Sequence, residues 1–370
     1  MRNMVDYVEQ MLLPVEEQPF NAVDSLVLSQ FCQIWLNEAT PDVCTDDGVK
    51  MTDLFRAEGF GKMFFDMWDP QASKRMLTAM VASPRFRNTT VKRFVRQRDT
   101  VAEKQFGAVC VQFSPDLCYV AFRGTDSSVV GWKEDFNMSF LSAVPAQTRA
   151  VSYAVEMASL CPALPLRIGG HSKGGNLAAW AAIYLPAELQ KDRLLSAYNN
   201  DGPGFARDML DTPEYRRVAD KLHTYIPESS IVGVLLEHAE DYAVIDSANR
   251  SIMQHEPLSW SVVGTRFVHL GQRSQMGRLS DDVLREWIGS MTPAEREQFT
   301  DALFDVLSLS GKARTLDDLR SGGLAGGAAL LKRNVSAADG LCRPVILDDV
   351  SLNAKSYERL AERLSKNDEQ

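Results

Sequence analysis

The sequence predicts an α/β protein with a mostly parallel, doubly wound sheet and helical additions at its N- and C-terminal ends. Two observations lead there. Between about residues 90 and 270, short runs rich in β-branched and aromatic residues alternate with helical patterns. That alternation builds a parallel sheet with sites at its strand ends. Within it, Leu166-Arg167-Ile168 runs into GGHSKGG (169–175) and out into NLAAWAAIYL (176–185). This is a strand, a tight turn and a helix. The turn contains Gly170-His171-Ser172-Lys173-Gly174, the G-x-S-x-G spacing that lifts a serine hydroxyl to the top of a sheet. Side chains two before and two after the serine would collide across the turn. The helix that follows aims its amino end at Ser172 and at any oxyanion formed there.

Composition narrows the function. With 40 Lys and Arg against 49 Asp and Glu, the 370-residue chain carries a net charge of −9. A general nucleic-acid binder would need a basic face. The N-terminal MRNMVDYVEQMLLPVEE has acidic residues where a signal peptide needs an apolar core. The strongest apolar run, 177–185, is too short to span a bilayer. The expectation is a cytoplasmic protein with no stable membrane anchor and no nucleic-acid partner. The sequence leaves the oligomeric state open. Six cysteines, at 32, 44, 110, 118, 161 and 342, form no C-x-x-C pair, so neither zinc nor dithiol chemistry is expected. Cys110 and Cys118 read as small core residues. No metal or organic cofactor is implied.

The elements divide into a helical part over 1–80 packing on the core, a core over 81–275 and a helical extension over 276–370. Residues 23–36 (VDSLVLSQFCQIWL) have helical apolar spacing with Asp24 as a cap. MTDLFRAEGFGKMFFDMW (51–68) reads as a core-facing helix pair. Strands are expected at TVKRFVRQRD (90–99) and in a hairpin of QFGAVCVQF and LCYVAFRG turning at 114–116. A helix follows over 149–160. Later strands are LLSAYNN (194–200), KLHTYIP (221–227) and DYAVIDS (241–247). Thr292-Pro293-Ala294-Glu295 is a capping box, opening a helix that puts Phe299, Leu303, Phe304 and Leu307 on one face. SGGLAGGAALL (321–331) lacks a preceding strand and a G-K-[ST] ending, so it reads as a loop into a helix rather than a phosphate loop.

A second segment, AFRGTDSSVVGWKEDF (121–136), makes a resemblance specific. Phe122-Arg123-Gly124-Thr125, Trp132 and Asp135, followed by Gly170-His171-Ser172-Lys173-Gly174-Gly175, resemble the linked motifs of class 3 lipases. VDSLVLS, QFGAV, FRGTD, GWKEDFNMSF, NNDGPGF, SSIVGVLLEH and QHEPLSW also resemble an uncharacterised bacterial family of class 3 lipase-like, Mbeg-like hydrolases over roughly residues 20–310. The resemblance implies an α/β-hydrolase fold, Ser172 as nucleophile and an ester or lipid substrate. It also implies an oxyanion hole from the N–H of Thr125, with or without its hydroxyl, and the N–H of Lys173. Arg123 and Asp135 read as a structural ion pair under the loop.

In this fold the acid and then the histidine follow the serine in the chain. His171 lies in the elbow and reads as packing, His223 as structural and His238 as a helix-end cap. His255, in a loop after the YAVIDS strand, is the first choice of base, with His269 and His238 the alternatives. For the acid, Ser229 and Ser230 stand where the lipases carry an Asp. Asp201 in NNDGPGF is the first choice, although its DGPG also reads as a plain turn. Glu228 comes second and Asp246 third, and a dyad oriented by Ser230 is a further option. A neutral serine orients an imidazole but does not stabilise its cation. The leading function is serine hydrolysis of an ester or thioester. Its alternatives are a catalytically weak hydrolase-fold binding protein and an acyltransferase using the same serine.

Overall fold

The computed structural model describes residues 3–274, apart from 66, 115, 127–128, 139–142 and 163, together with 292, 294 and 295. These residues fall into two units: those within 3–98, 105–124 and 145–274 in the first, and those within 99–104 and 125–144, with 292, 294 and 295, in the second.

The first unit is an eight-stranded sheet in sequential order: β1 (Val49–Lys50), β2 (Thr90–Asp99), β3 (Lys104–Ser114), β4 (Leu117–Phe122), β5 (Leu166–His171), β6 (Leu194–Asn200), β7 (Leu222–Pro227) and β8 (Tyr242–Ile245). β1 and β3 pair antiparallel with β2 and β4 respectively. From β4 to β8 every pairing is parallel. The strands step in one direction only, and right-handed crossovers then put the connecting helices on one face. α6 (Pro145–Leu160) is there: its Tyr153 ring packs at 6.0 and 6.2 Å from Phe106 and Phe122. α7 (Lys173–Tyr184) leads from β5 toward β6.

The other face would lie bare without the N-terminal helices α1 (Met4–Gln10), α2 (Ala22–Phe31) and α4 (Pro70–Ala82); α3 is the single turn Phe60–Met63. Leu26, Leu28, Phe31 and Met76 join Val109, Val111, Tyr119, Ala121 and Tyr198 in one buried core. Each such side chain contributes about 1.5–3 kcal/mol on burial. Asp24 is not the cap of α2. Asn21 is, and Asp24 closes the capping box by accepting from the Asn21 N–H at 3.0 Å. The Asp24 carboxylate also meets Arg85 at 2.6 Å with both side chains fully buried, and Arg85 ties down the carbonyls of Leu13, Gln18 and Pro19. Removing one partner of such a pair costs roughly 3–5 kcal/mol.

Residues 51–63 differ from the expected helix pair: they form 3-10 turns at Met51–Leu54 and Ala57–Gly59 and then α3. A small antiparallel pair, β9 (Val262–Val263) and β10 (Arg266–Phe267), follows the sheet. No helix among the described residues is long and apolar enough to cross a membrane.

The second unit contains α5 (Val129–Asn137), which carries Trp132 and Asp135. Its Lys133 and Asn137 bond the Glu103 carboxylate at 2.6 and 2.9 Å. The expected capping box is present, with Thr292 N–H to Glu295 at 2.7 Å and Glu295 N–H to Thr292 Oγ1 at 3.3 Å. Phe299, Leu303, Phe304 and Leu307, and the 321–331 loop, lie outside the described residues.

Candidate active site

Ser172 sits at the turn between β5 and α7 with φ 59° and ψ −131°. For an L-residue this is a strained conformation, of the kind that persists where its surroundings enforce it. The glycines explain how it closes. A Cβ on Gly170 would lie 2.2 Å from the Gly174 carbonyl, and one on Gly174 would lie 2.3 Å from the Phe122 carbonyl oxygen. Ser172 is half-buried, and Lys173, the first residue of α7, is buried. The Lys173 N–H therefore stands at a helix amino end beside the serine, where partial positive charge gathers.

The loop after β6 is stitched to this elbow by Asn200 and Asn176 and closed on itself by Asn199. Asn200 donates to the Gly170 carbonyl at 3.0 Å, and Asn199 Oδ1 accepts from the Gly202 N–H at 2.9 Å. Asn176, inside α7, donates to the Pro203 and Gly204 carbonyls and accepts from Gln147. Asp201 follows with φ 54°, a left-handed conformation Asp tolerates better than most side chains. Its side chain is fully buried.

Asp201 and His255 come together. His255 Nδ1 lies 2.7 Å from Asp201 Oδ2, and the same oxygen accepts from Ser230 Oγ at 2.8 Å. Ser230 therefore contacts the carboxylate and not the imidazole. Glu228 is held through its backbone, donating to Ile245 O and accepting from the Ser274 N–H, and is not bonded to His255. Asp246 likewise bonds through its backbone to Val268 and Ser261. Gly233 closes over the carboxylate, since a Cβ there would sit 2.2 Å from Asp201 Oδ1.

His255 ends a short 3-10 turn, Ser251–His255, bracketed on both sides. The Trp260 indole N–H donates to Gln254 O at 2.9 Å. His171 Nε2 lies 2.8 Å from His255 O, and because a carbonyl only accepts, His171 carries its proton on Nε2. Burial, with the neighbouring His255, holds the His171 imidazole well below its ordinary range, so it stays neutral. His171 is thus more than packing: it fixes the peptide of His255.

The other histidines fall elsewhere. His223 lies within β7, exposed. His269 bridges to Ile245. His238 lies in the loop after the 3-10 turn Val232–Val234 and bonds the Gly233 carbonyl of that turn through Nε2 at 2.7 Å, with Nδ1 at 3.1 Å from Glu240.

Of the two proposed oxyanion donors, Lys173 belongs with the elbow and Thr125 to the second unit. In that unit the Thr125 hydroxyl donates to Asp135 Oδ2 at 2.5 Å. Gly124, just before it in the chain, packs on the elbow: a Cβ on Gly124 would lie 2.8 Å from His171 O and 3.5 Å from Ser172 Cβ. Arg123 lies over the Trp35 ring at 5.7 Å.

A parallel run of five strands, a serine on a strained strand-to-helix turn and helices on both faces define an α/β-hydrolase fold. The chain belongs to the Mbeg1-like family, whose model matches residues 80–305. No curated protein matches it significantly. Among solved structures it is similar to the Rhizomucor miehei lipase propeptide complex, at 14% identity and a TM-score of 0.39, over 66% of this chain and 81% of that one. It is also similar to M37 lipase, at 15% identity and a TM-score of 0.35, over 56% and 68% of the two chains. At these scores neither likeness bears on the chemistry of this chain.

Proposed function

We propose that the protein is a serine hydrolase of ester or thioester bonds. The observation that carries this is the buried Asp201 carboxylate on His255 Nδ1, stitched by Asn200 and Asn176 to the turn that bears Ser172. Ser172 Oγ attacks the acyl carbon and its proton passes to His255 Nε2, the ring nitrogen opposite Asp201. The imidazolium is stabilised by Asp201 and then protonates the leaving alcohol or thiol. A water activated by the same histidine releases the acid and restores Ser172.

The developing oxyanion is held by the N–H of Lys173 at the amino end of α7, and the resemblance to class 3 lipases implies the N–H of Thr125 as the second donor. The Thr125 hydroxyl, committed to Asp135, positions its own peptide instead of donating to the oxyanion. Lipid-like substrates are the first class to test, since the resemblance of the 121–136 and 169–175 motifs to class 3 lipases implies them. The test is a panel of p-nitrophenyl esters of graded acyl length, with wild type and Ser172→Ala compared. Turnover that disappears in Ser172→Ala supports the reading. Equal turnover in both, or none in either, removes it.

A further inference from the structure

The face of the sheet that carries α6 holds a group of thiols that the proposed hydrolysis leaves unused. Cys110 on β3 pairs with Val120, and Cys118 on β4 pairs with Gln112. The two cysteines are thus diagonal neighbours on one face of the hairpin. Their Sγ atoms lie 3.2 Å apart. Cys161, the residue after α6, brings a third sulfur, and all three lie within 4.8 Å of one another. All three side chains are buried. The position of Cys161 is built: the Arg193 guanidinium donates to the carbonyls of Ala158, Cys161 and Leu164 and so pins the end of α6.

We propose that Cys110, Cys118 and Cys161 form a three-thiolate site for a soft, monovalent d10 metal ion, Cu(I). Thiolate bonds of about 2.3 Å around one ion put the sulfurs roughly 3.8–4.0 Å apart. Cys110 and Cys118 reach that spacing by parting roughly 0.7 Å, and the upper bound on the other two separations already admits it. Among the described residues no further His, Cys, Asp or Glu joins the group. Zinc takes four ligands in a closed structural site, whereas an all-sulfur trio suits Cu(I). Lys92, nearly buried and bonded to Gln112 beside Cys118, and Arg193 place positive charge against the anionic cluster. The binding step involves no electron transfer: three S–Cu bonds form, and the thiol protons leave to solvent. The ion ties β3, β4 and the end of α6 together, and β4 is the strand that leads to Gly124 at the elbow.

The test titrates the fully reduced, full-length protein with Cu(I) under anaerobic conditions, against a chromophoric Cu(I) chelator. One equivalent is withdrawn from the chelator, sulfur-to-copper charge-transfer absorption appears, and Tm rises because only the folded chain presents the site. X-ray absorption on the loaded wild type counts three sulfur neighbours, a readout that depends on no variant folding. Cys161→Ser weakens binding by more than about a hundredfold, beyond what a merely supporting group contributes. Cys44→Ser, at an exposed thiol, leaves it unchanged. Failure of the wild type to compete with the chelator, equal binding by Cys161→Ser, or a copper shell with fewer than three sulfurs overturns the proposal. None of these outcomes depends on Ser172 chemistry.

Discussion

Replacing Asp201 by Asn probes the proposed acid with little structural disturbance. The amide keeps the shape of the carboxylate, and Asn tolerates the left-handed φ of 54°. The fold therefore survives, at a cost of about 1–3 kcal/mol for one disturbed buried bond. The chemistry does not survive. Oδ2 accepts from both His255 Nδ1 and Ser230 Oγ, in a site with no solvent exposure to compensate. An amide NH2 turned to Nδ1 selects the tautomer with its proton on Nε2, which cannot take the proton of Ser172. In either orientation the neutral amide fails to stabilise the imidazolium. The expected loss is about 10⁴ in kcat, or about 5 kcal/mol of barrier. The assay is saturating hydrolysis of the best p-nitrophenyl ester, with KM and Tm followed alongside. A folded Asp201→Asn whose kcat stays within about tenfold of wild type refutes the reasoning and makes Asp201 a turn residue.

Three other perturbations follow from the same geometry. Gly233→Ala drives a Cβ to 2.2 Å from Asp201 Oδ1, so the carboxylate must move; a misplacement near 1 Å costs about a hundredfold in kcat, and unchanged kcat would show that the carboxylate position is immaterial. Thr125→Val keeps the backbone N–H and loses only the bond to Asp135, so kcat falls less than about tenfold; a loss of about a hundredfold or more at constant KM would mean that the hydroxyl itself is an oxyanion donor. Glu240 is one pH-sensitive element. Burial alone would raise its pKa, but hydrogen bonds from His238, Thr224 and Tyr215 and the charge of His238 outweigh burial and hold the carboxyl to about 2. A folded pKa below the unfolded one gives stability that is present above about pH 4.5 and lost as pH falls toward 2. Tm measured across that range should fall more steeply for wild type than for Glu240→Gln, and parallel curves would contradict the assignment.

Much of the sheet was legible because its strands are short apolar runs with clear turn residues between them. β2 and β6 span the residues their patterns predict, Thr90–Asp99 and Leu194–Asn200. Residues 51–63 were not, since Met and Phe at helical spacing outweighed Gly59 and Gly61, and the chain breaks there into single turns. The elbow was legible because its chemistry is local: strand, glycines, serine and helix are consecutive. The pairing of Asp201 with His255 crosses 54 residues, and no local pattern distinguishes it from the turn that DGPG also describes. Asn176, Asn199 and Asn200 were missed. Their signal was three amides at strand and helix ends in an apolar context, where a buried polar group must find partners. The bond from His171 to the His255 carbonyl and the meeting of three scattered cysteines depend on tertiary folding alone.

The central claim is that Ser172 is an activated nucleophile. Its most direct test is reaction of the native protein with a fluorophosphonate, followed by peptide mapping in a mass spectrometer. The account predicts one adduct per chain, on Ser172 in the peptide spanning GGHSKGG, greatly slowed in Asp201→Asn and absent in Ser172→Ala. An unmodified Ser172 peptide in the native protein, or an adduct on another residue, would contradict it.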